Sequence, residues 1–212
     1  MARAKRVLDF YFTCNRLKTL IRTGWGAWNA QAERLESVAE HIYGVQMLAI
    51  AMYSEYKYEI DLEKVILMLA VHELEEVSLG DVIPFETTME ERKARGRAAV
   101  AELVSKIEGG EEIHALFTEY DEQQTLEAKF ARWCDKLEAD LQCKLYDEAG
   151  RIDMAAQEGN KMLADIEVRE IASRKTRAAE IWLEYNRRKN GYDENFLEVS
   201  KYAEEHQIAL EG

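Results

Sequence analysis

The chain has 212 residues, 47% of them hydrophobic and 33% charged, with a net charge of −13. That length can bury the core of one domain, residues 1–212, and the acidic field excludes a nucleic-acid polymer as the expected partner, because it repels a polyanion. One proline and 11 glycines leave few breakers, which favours long helices over a strand-rich fold.

Three cysteines, Cys14, Cys134 and Cys143, have no paired spacing. An odd count without a CxxC motif reads as reduced thiols and predicts a cytoplasmic protein. The start of the chain is basic (Arg3, Lys5, Arg6), but Asp9, Asn15, Arg16 and Lys18 interrupt the apolar residues after it. No signal peptide is expected. No run approaches a membrane span, so no membrane partner is expected either.

In chain order, residues 7–21 read as an amphipathic helix carrying Val7, Leu8, Phe10, Tyr11, Cys14, Leu17, Leu20 and Ile21. Thr23-Gly24-Trp25-Gly26 breaks it, and a polar loop runs to about Glu36. Ser37-Val38-Ala39-Glu40 is a capping box that opens the next helix, with His41 on or near its apolar face. Asp61 caps a helix predicted over 61–78. Gly80 to Pro84 reads as a turn, and Thr88-Met89-Glu90-Glu91 as a second capping box for a helix to about Ile107. Gly109-Gly110 ends that helix; a short one follows over 111–119 and a long one over 125–148, stopped at Gly150. The remainder suggests helices near 161–188, with a break, and 194–206. No segment alternates with a period of two, so the expected fold is a single all-α domain.

The residues able to carry chemistry cluster at His72-Glu73, within Val71-His72-Glu73-Leu74-Glu75-Glu76-Val77, directly after the most hydrophobic stretch of the chain. Ionisable groups there are costly unless paired or bound to a metal. On a regular helix His72 and Glu76 share a face, with Glu73 about 100° round. A neutral imidazole and carboxylates are ligands for Mn, Fe, Co, Zn or Mg-type ions; the alternative is a solvated helix end with an incidental histidine. Position 76 is Glu, so an HExxH zinc site is excluded. His41 reads as either a hydrogen-bonded core histidine or a second ligand. Asp135 sits mid-helix among Phe130, Trp133, Cys134 and Leu137 and needs a partner, either a metal or a cation such as Arg132 or Lys136. His114 and His206 lack such company and are expected at the surface.

The ordered set His41, His72-Glu73 and Asp135 resembles the H…HD…D signature of HD-domain phosphohydrolases. It is most similar to the subgroup that includes 5′-deoxynucleotidases. Supporting strings are Arg22-Thr23-Gly24-Trp25, Glu36-Ser37-Val38-Ala39-Glu40-His41, Glu76-Val77-Ser78-Leu79-Gly80-Asp81, Glu119-Tyr120 with Thr125-Leu126-Glu127-Ala128-Lys129-Phe130, and Asp135-Lys136-Leu137-Glu138. The resemblance implies an HD-type helical bundle and one divalent metal ion (Mn, Co, Fe, Zn or Mg) held by His41, His72, Glu73 and Asp135. It further implies Glu76 as orienter or base for water, Asp81 beside the leaving 5′ oxygen, and Arg22 and Trp25 against a nucleoside monophosphate substrate. Each has a plain rival: solvated helix-end charge for Glu76, a turn cap for Asp81, a dipole-stabilised cation for Arg22 and a core aromatic for Trp25. The pattern departs from the family at Glu73, where His-Asp is usual; the extra methylene moves the carboxylate by roughly 1.5 Å. Non-hydrolytic nucleotide or partner binding is therefore the alternative function. Related proteins are often dimers, and Ile181, Trp182, Tyr185, Phe196 and Leu197 could serve a homodimer interface or simply the core.

Overall fold

The computed structural model describes residues 2–81 and 89–209, and among them the regular elements are helices, with one isolated bridge between Ile21 and Ser37. The all-α expectation holds. The predicted capping box at Thr88 and the later part of the turn, residues 82–84, lie outside the described residues.

Helix α1 (Arg3–Cys14) passes into a 3₁₀ turn (Asn15–Lys18), so the apolar pattern read over 7–21 is split between two elements. Thr23–Ala27, expected as a break, forms the short helix α2. Helix α3 (Val38–Tyr56) starts where the capping box places it. Ser37 Oγ accepts from the Glu40 N–H, and the Glu40 carboxylate accepts from the Ser37 N–H at 2.9 Å. Helix α4 (Leu62–Val71) starts at Asp61, whose carboxylate accepts from the Lys64 N–H at 3.1 Å.

The helix predicted over 61–78 is not continuous. It ends at His72, and a tighter turn leads to the short α5 (Glu76–Leu79). Backbone bonds there run from Leu74 to Val71, Glu76 to Glu73 and Val77 to Leu74, three residues apart. Two causes are visible. Glu73, Glu75 and Glu76 crowd the negative end of a helix dipole, which disfavours carboxylates, and the His72 ring takes up the Leu69 carbonyl.

The chain continues through α6 (Met89–Val104), α7 (Gly110–Glu122), α8 (Leu126–Glu148), α9 (Ile166–Ala172), α10 (Ala178–Lys189) and α11 (Glu194–Glu205). Gly150 follows α8 with φ +64°, a left-handed conformation that suits glycine. Among the described residues no helix is long and apolar enough to cross a membrane.

The chain packs as two compact units. The first takes the residues up to Arg22 together with Glu36–Arg132. In it α3 packs on α4, α4 on α7 and α7 on α6, around a core of Leu17, Val38, Leu74, Val77, Val100, Val104 and Phe117. The second takes Thr23–Leu35 and the chain from Trp133 onward, so α8 runs from one unit into the other. Its core is aromatic. Trp28 meets Trp182 edge-on at 6.1 Å, Phe196 lies 5.3 Å from Trp133 and 5.6 Å from Tyr192, and Ile181 and Leu183 are fully buried. Ile181, Trp182, Tyr185 and Phe196 thus serve internal packing in this unit.

Candidate metal centre

His41 lies on the inner face of α3 with Val38, Val45, Ala49 and Met52, and is fully buried. His72, 2% exposed, caps the C-terminal end of α4. Its Nδ1 is 2.7 Å from the Leu69 carbonyl oxygen. A carbonyl only accepts, so Nδ1 carries the proton and, in the neutral ring, Nε2 keeps its lone pair. This is the arrangement of a metal-ligating histidine held by a backbone partner.

The turn after α4 brings Glu73 to both rings. Its Oε1 lies 3.6 Å from His72 Nε2 and 3.7 Å from His41 Nε2. The ligand atoms of His41, His72 and Glu73 all lie within 4.8 Å of one another. Donors on one ion at metal–ligand distances of about 2.0–2.2 Å stand about 3.0–3.5 Å apart, so this trio fits a divalent cation with small adjustment. Arg22 reaches the same carboxylate: its Nη1 is 3.6 Å from Glu73 Oε1 and its Nε 3.7 Å from Glu36 Oε2. The Ile21–Ser37 bridge explains why, since the Arg22 N–H donates to the Glu36 carbonyl at 3.1 Å and the Val38 N–H to Leu20 at 2.8 Å.

The charge balance is anionic. Burial, then the charges of Glu73 and Asp81, push the Glu76 carboxyl up to about 11, against the pull of Arg22. Burial and Glu73 push Glu75 up to about 8, with Arg92 pulling the other way. Glu75 Oε2 and Glu76 Oε2 are buried and accept no hydrogen bond from a described residue. In a three-residue turn positions i and i+3 eclipse, so Glu76 stands over Glu73 rather than over His72, the face expected from a regular helix. A cation bound among these groups offsets the repulsion directly.

Trp25 and Asp135 belong to the second unit. Trp25 is 5% exposed and meets Tyr146 edge-on at 5.0 Å. Asp135 is buried in α8 with Lys136 Nζ 3.0 Å from its carboxylate. Asp81 ends the described part of its segment, half-buried. His206 is exposed and stacked on Tyr202, as expected of a surface residue, whereas His114 is half-buried.

Three neighbours of the trio carried no sequence-based role. Glu36 braces Arg22. Tyr120, brought by α7, lies edge-on to His72 at 5.2 Å. Glu75 joins the acidic group. The Glu36 and Tyr120 strings stood in the family pattern; only the pairing of segments 20–22 and 36–38 reveals what Glu36 holds.

Known proteins resemble this chain in sequence and in fold. A family model for the HD domain matches residues 14–174. The chain is 36% identical over 149 residues to the 5′-deoxynucleotidase HDDC2 of Dictyostelium discoideum, covering 66% of this chain and 77% of that one. It is 28% identical over 148 residues to the human 5′-deoxynucleotidase HDDC2, covering 68% and 70%. Among solved structures, a conserved hypothetical protein from Pyrococcus furiosus superposes with a TM-score of 0.64 at 22% identity, over 94% of this chain and 99% of that one. A predicted metal-dependent phosphohydrolase from Magnetospirillum magnetotacticum does so at 0.61 and 21%, over 95% and 94%. At those identities the structural likeness is one of fold. The family model spans more than half of the sequence, and the chain belongs to the HD domain family.

Proposed function

We propose that the protein is a metal-dependent phosphohydrolase that cleaves nucleoside 5′-monophosphates, deoxynucleotides foremost, to nucleoside and phosphate. The observation that carries this reading is the meeting of His41 Nε2 and His72 Nε2 on one carboxylate oxygen of Glu73, with Arg22 beside it. The activity named for the relatives supplies the substrate class.

His41, His72 and Glu73 are the proposed ligands of one divalent ion, with Asp135 as the fourth ligand that the family pattern implies. Two imidazoles with carboxylates suit Mn, Fe, Co or Zn better than Mg, which favours oxygen donors. When bound, such an ion supplies a Lewis-acid charge that polarises a phosphate oxygen and acidifies water.

The remaining steps belong to the chain. Arg22 turns its Nη1 from Glu73 to the phosphate oxygens, while Glu36 keeps its hold on Nε. Glu76, in its ionised form, orients and deprotonates the attacking water. Asp81 hands a proton to the departing 5′ oxygen. Trp25, buried against Tyr146, is the proposed aromatic contact of the substrate. Free cysteines, two of the three buried, fit a reducing cytoplasmic setting.

The test is phosphate release from a panel of deoxy- and ribonucleotides with Mn²⁺, Co²⁺ or Mg²⁺. Release with at least one metal, abolished by chelation and by His72→Ala, is expected. No release with any metal from a protein that purifies metal-free would overturn the proposal; release gained only on Glu73→Asp would mark a non-hydrolytic relative instead.

A further inference from the structure

Helix α1 has two apolar faces, and one of them is uncovered. Phe10 and Cys14 pack on the core of the first unit. On the other side Val7, Leu8, Tyr11 and Phe12 are 56%, 51%, 52% and 62% exposed. At 100° per residue they form a stripe roughly 140° wide, with exposed Ala4 inside it and Arg3 and Lys5 at its margins. An exposed apolar patch rimmed by charge marks an interaction surface.

The charge of this region is opposite to that of the chain. Residues 2–22 hold six of the 28 Lys and Arg but one of the 41 Asp and Glu, Asp9. Arg16 and Lys18, just beyond α1, are exposed. Arg3 and Arg6 lie 3.6 and 3.7 Å from Glu108, and Lys5 lies 2.6 Å from Asp9. The exposed pairs of Arg3 and Lys5 are weak and readily exchanged for another anion.

Charge selects the occupant. Two copies of α1 paired antiparallel set Arg3 and Lys5 of one against Arg16 and Lys18 of the other, and a parallel pair sets each cation beside itself. Both arrangements oppose like charges, so self-pairing through this stripe is disfavoured. An anionic partner is required. A rod of about 18 Å with aliphatic and aromatic side chains outward and cations along its edges matches the headgroup–acyl boundary of an anionic bilayer. Docking by Phe10 and Cys14 has already fixed the helix, which lowers the cost of ordering it on binding. The acidic remainder of the chain is screened beyond about 10 Å at 0.1 M salt.

We propose that α1 is a peripheral docking helix for anionic lipid surfaces. The sequence expectation of no membrane partner rested on the lack of a span, and this contact needs none.

Flotation of the full chain with phosphatidylcholine vesicles, with and without about 30% phosphatidylserine, tests it. At about 0.1 M salt the protein floats only with the phosphatidylserine vesicles, and about 0.5 M salt releases it. Phe12→Glu with Leu8→Glu abolishes flotation, and Arg3→Gln with Lys5→Gln lowers it by about tenfold or more. All four positions face solvent, so both variants keep the wild-type melting curve and phosphate release. Failure of the wild type to float with phosphatidylserine vesicles overturns the proposal, as does flotation indifferent to both variants. Self-association lost in Phe12→Glu, without vesicle binding, overturns it in favour of a second copy.

Discussion

The carboxylates after α4 and those joining α9, α10 and α11 are shifted in opposite directions. In the second group Glu184 receives Arg174 at 2.8 Å and Lys175 at 3.2 Å, and Glu204 receives Lys175 at 2.6 Å and Arg187. Burial pushes both carboxyls up, but these cations outweigh it and hold them below the ordinary range. In the first group Glu75 and Glu76 are pushed up to about 8 and about 11, because burial and neighbouring carboxylates outweigh Arg92 and Arg22. Burial acts the same way in both places; the supply of cations decides the sign. One group is complete as it stands, and the other, on the proposed reading, is completed by a cation from solution.

Variants should separate the two groups sharply. His72→Ala, or His41→Ala, removes a donor without refilling it, and phosphate release falls to background with loss of bound metal, read by assay and elemental analysis. Glu76→Gln keeps the metal but lowers kcat by about 10²–10⁴, a kcat change with metal content unaltered. Glu73→Asp draws the carboxylate back by roughly 1.5 Å and weakens metal affinity by about ten- to a hundredfold, read by competition with a chelator.

Acidity gives a smaller, graded test. The folded metal-free protein holds protons on Glu75 and Glu76 that the unfolded chain has lost above about pH 4.5. Their contribution to stability is therefore full below that pH and declines as pH rises, most clearly between about 4.5 and 8. Metal-free protein should melt at lower temperature at pH 8 than at pH 5, and saturating Mn²⁺ should remove the difference. Glu184→Gln should cost only about 0.2–1 kcal/mol of stability, with phosphate release unchanged; a larger effect on activity than on melting would break the contrast.

Local rules carried the fold a long way. The Ser37–Glu40 box and the Asp61 cap each start a helix where the residues predict, because their hydrogen bonds lie within one turn of chain. What escaped was the end of α4. A periodic apolar pattern says nothing of three carboxylates meeting a helix dipole, nor of His72 drawing on the Leu69 carbonyl. The histidines and Glu73 were legible as a set only through the family resemblance that their order and the flanking strings carry. The bracing of Arg22 by Glu36 was not, since it depends on a bridge between Ile21 and Ser37, sixteen residues apart. The expected helical pairing of His72 with Glu76 gave way to Glu73 with Glu76 once the turn tightened.

The most direct measurement is the metal content of the purified protein, before and after chelation, beside its rate of phosphate release from a deoxynucleoside 5′-monophosphate. The account predicts about one divalent ion per chain, lost in His72→Ala, with the rate rising and falling with occupancy. Full release by chelated, metal-free protein would contradict it.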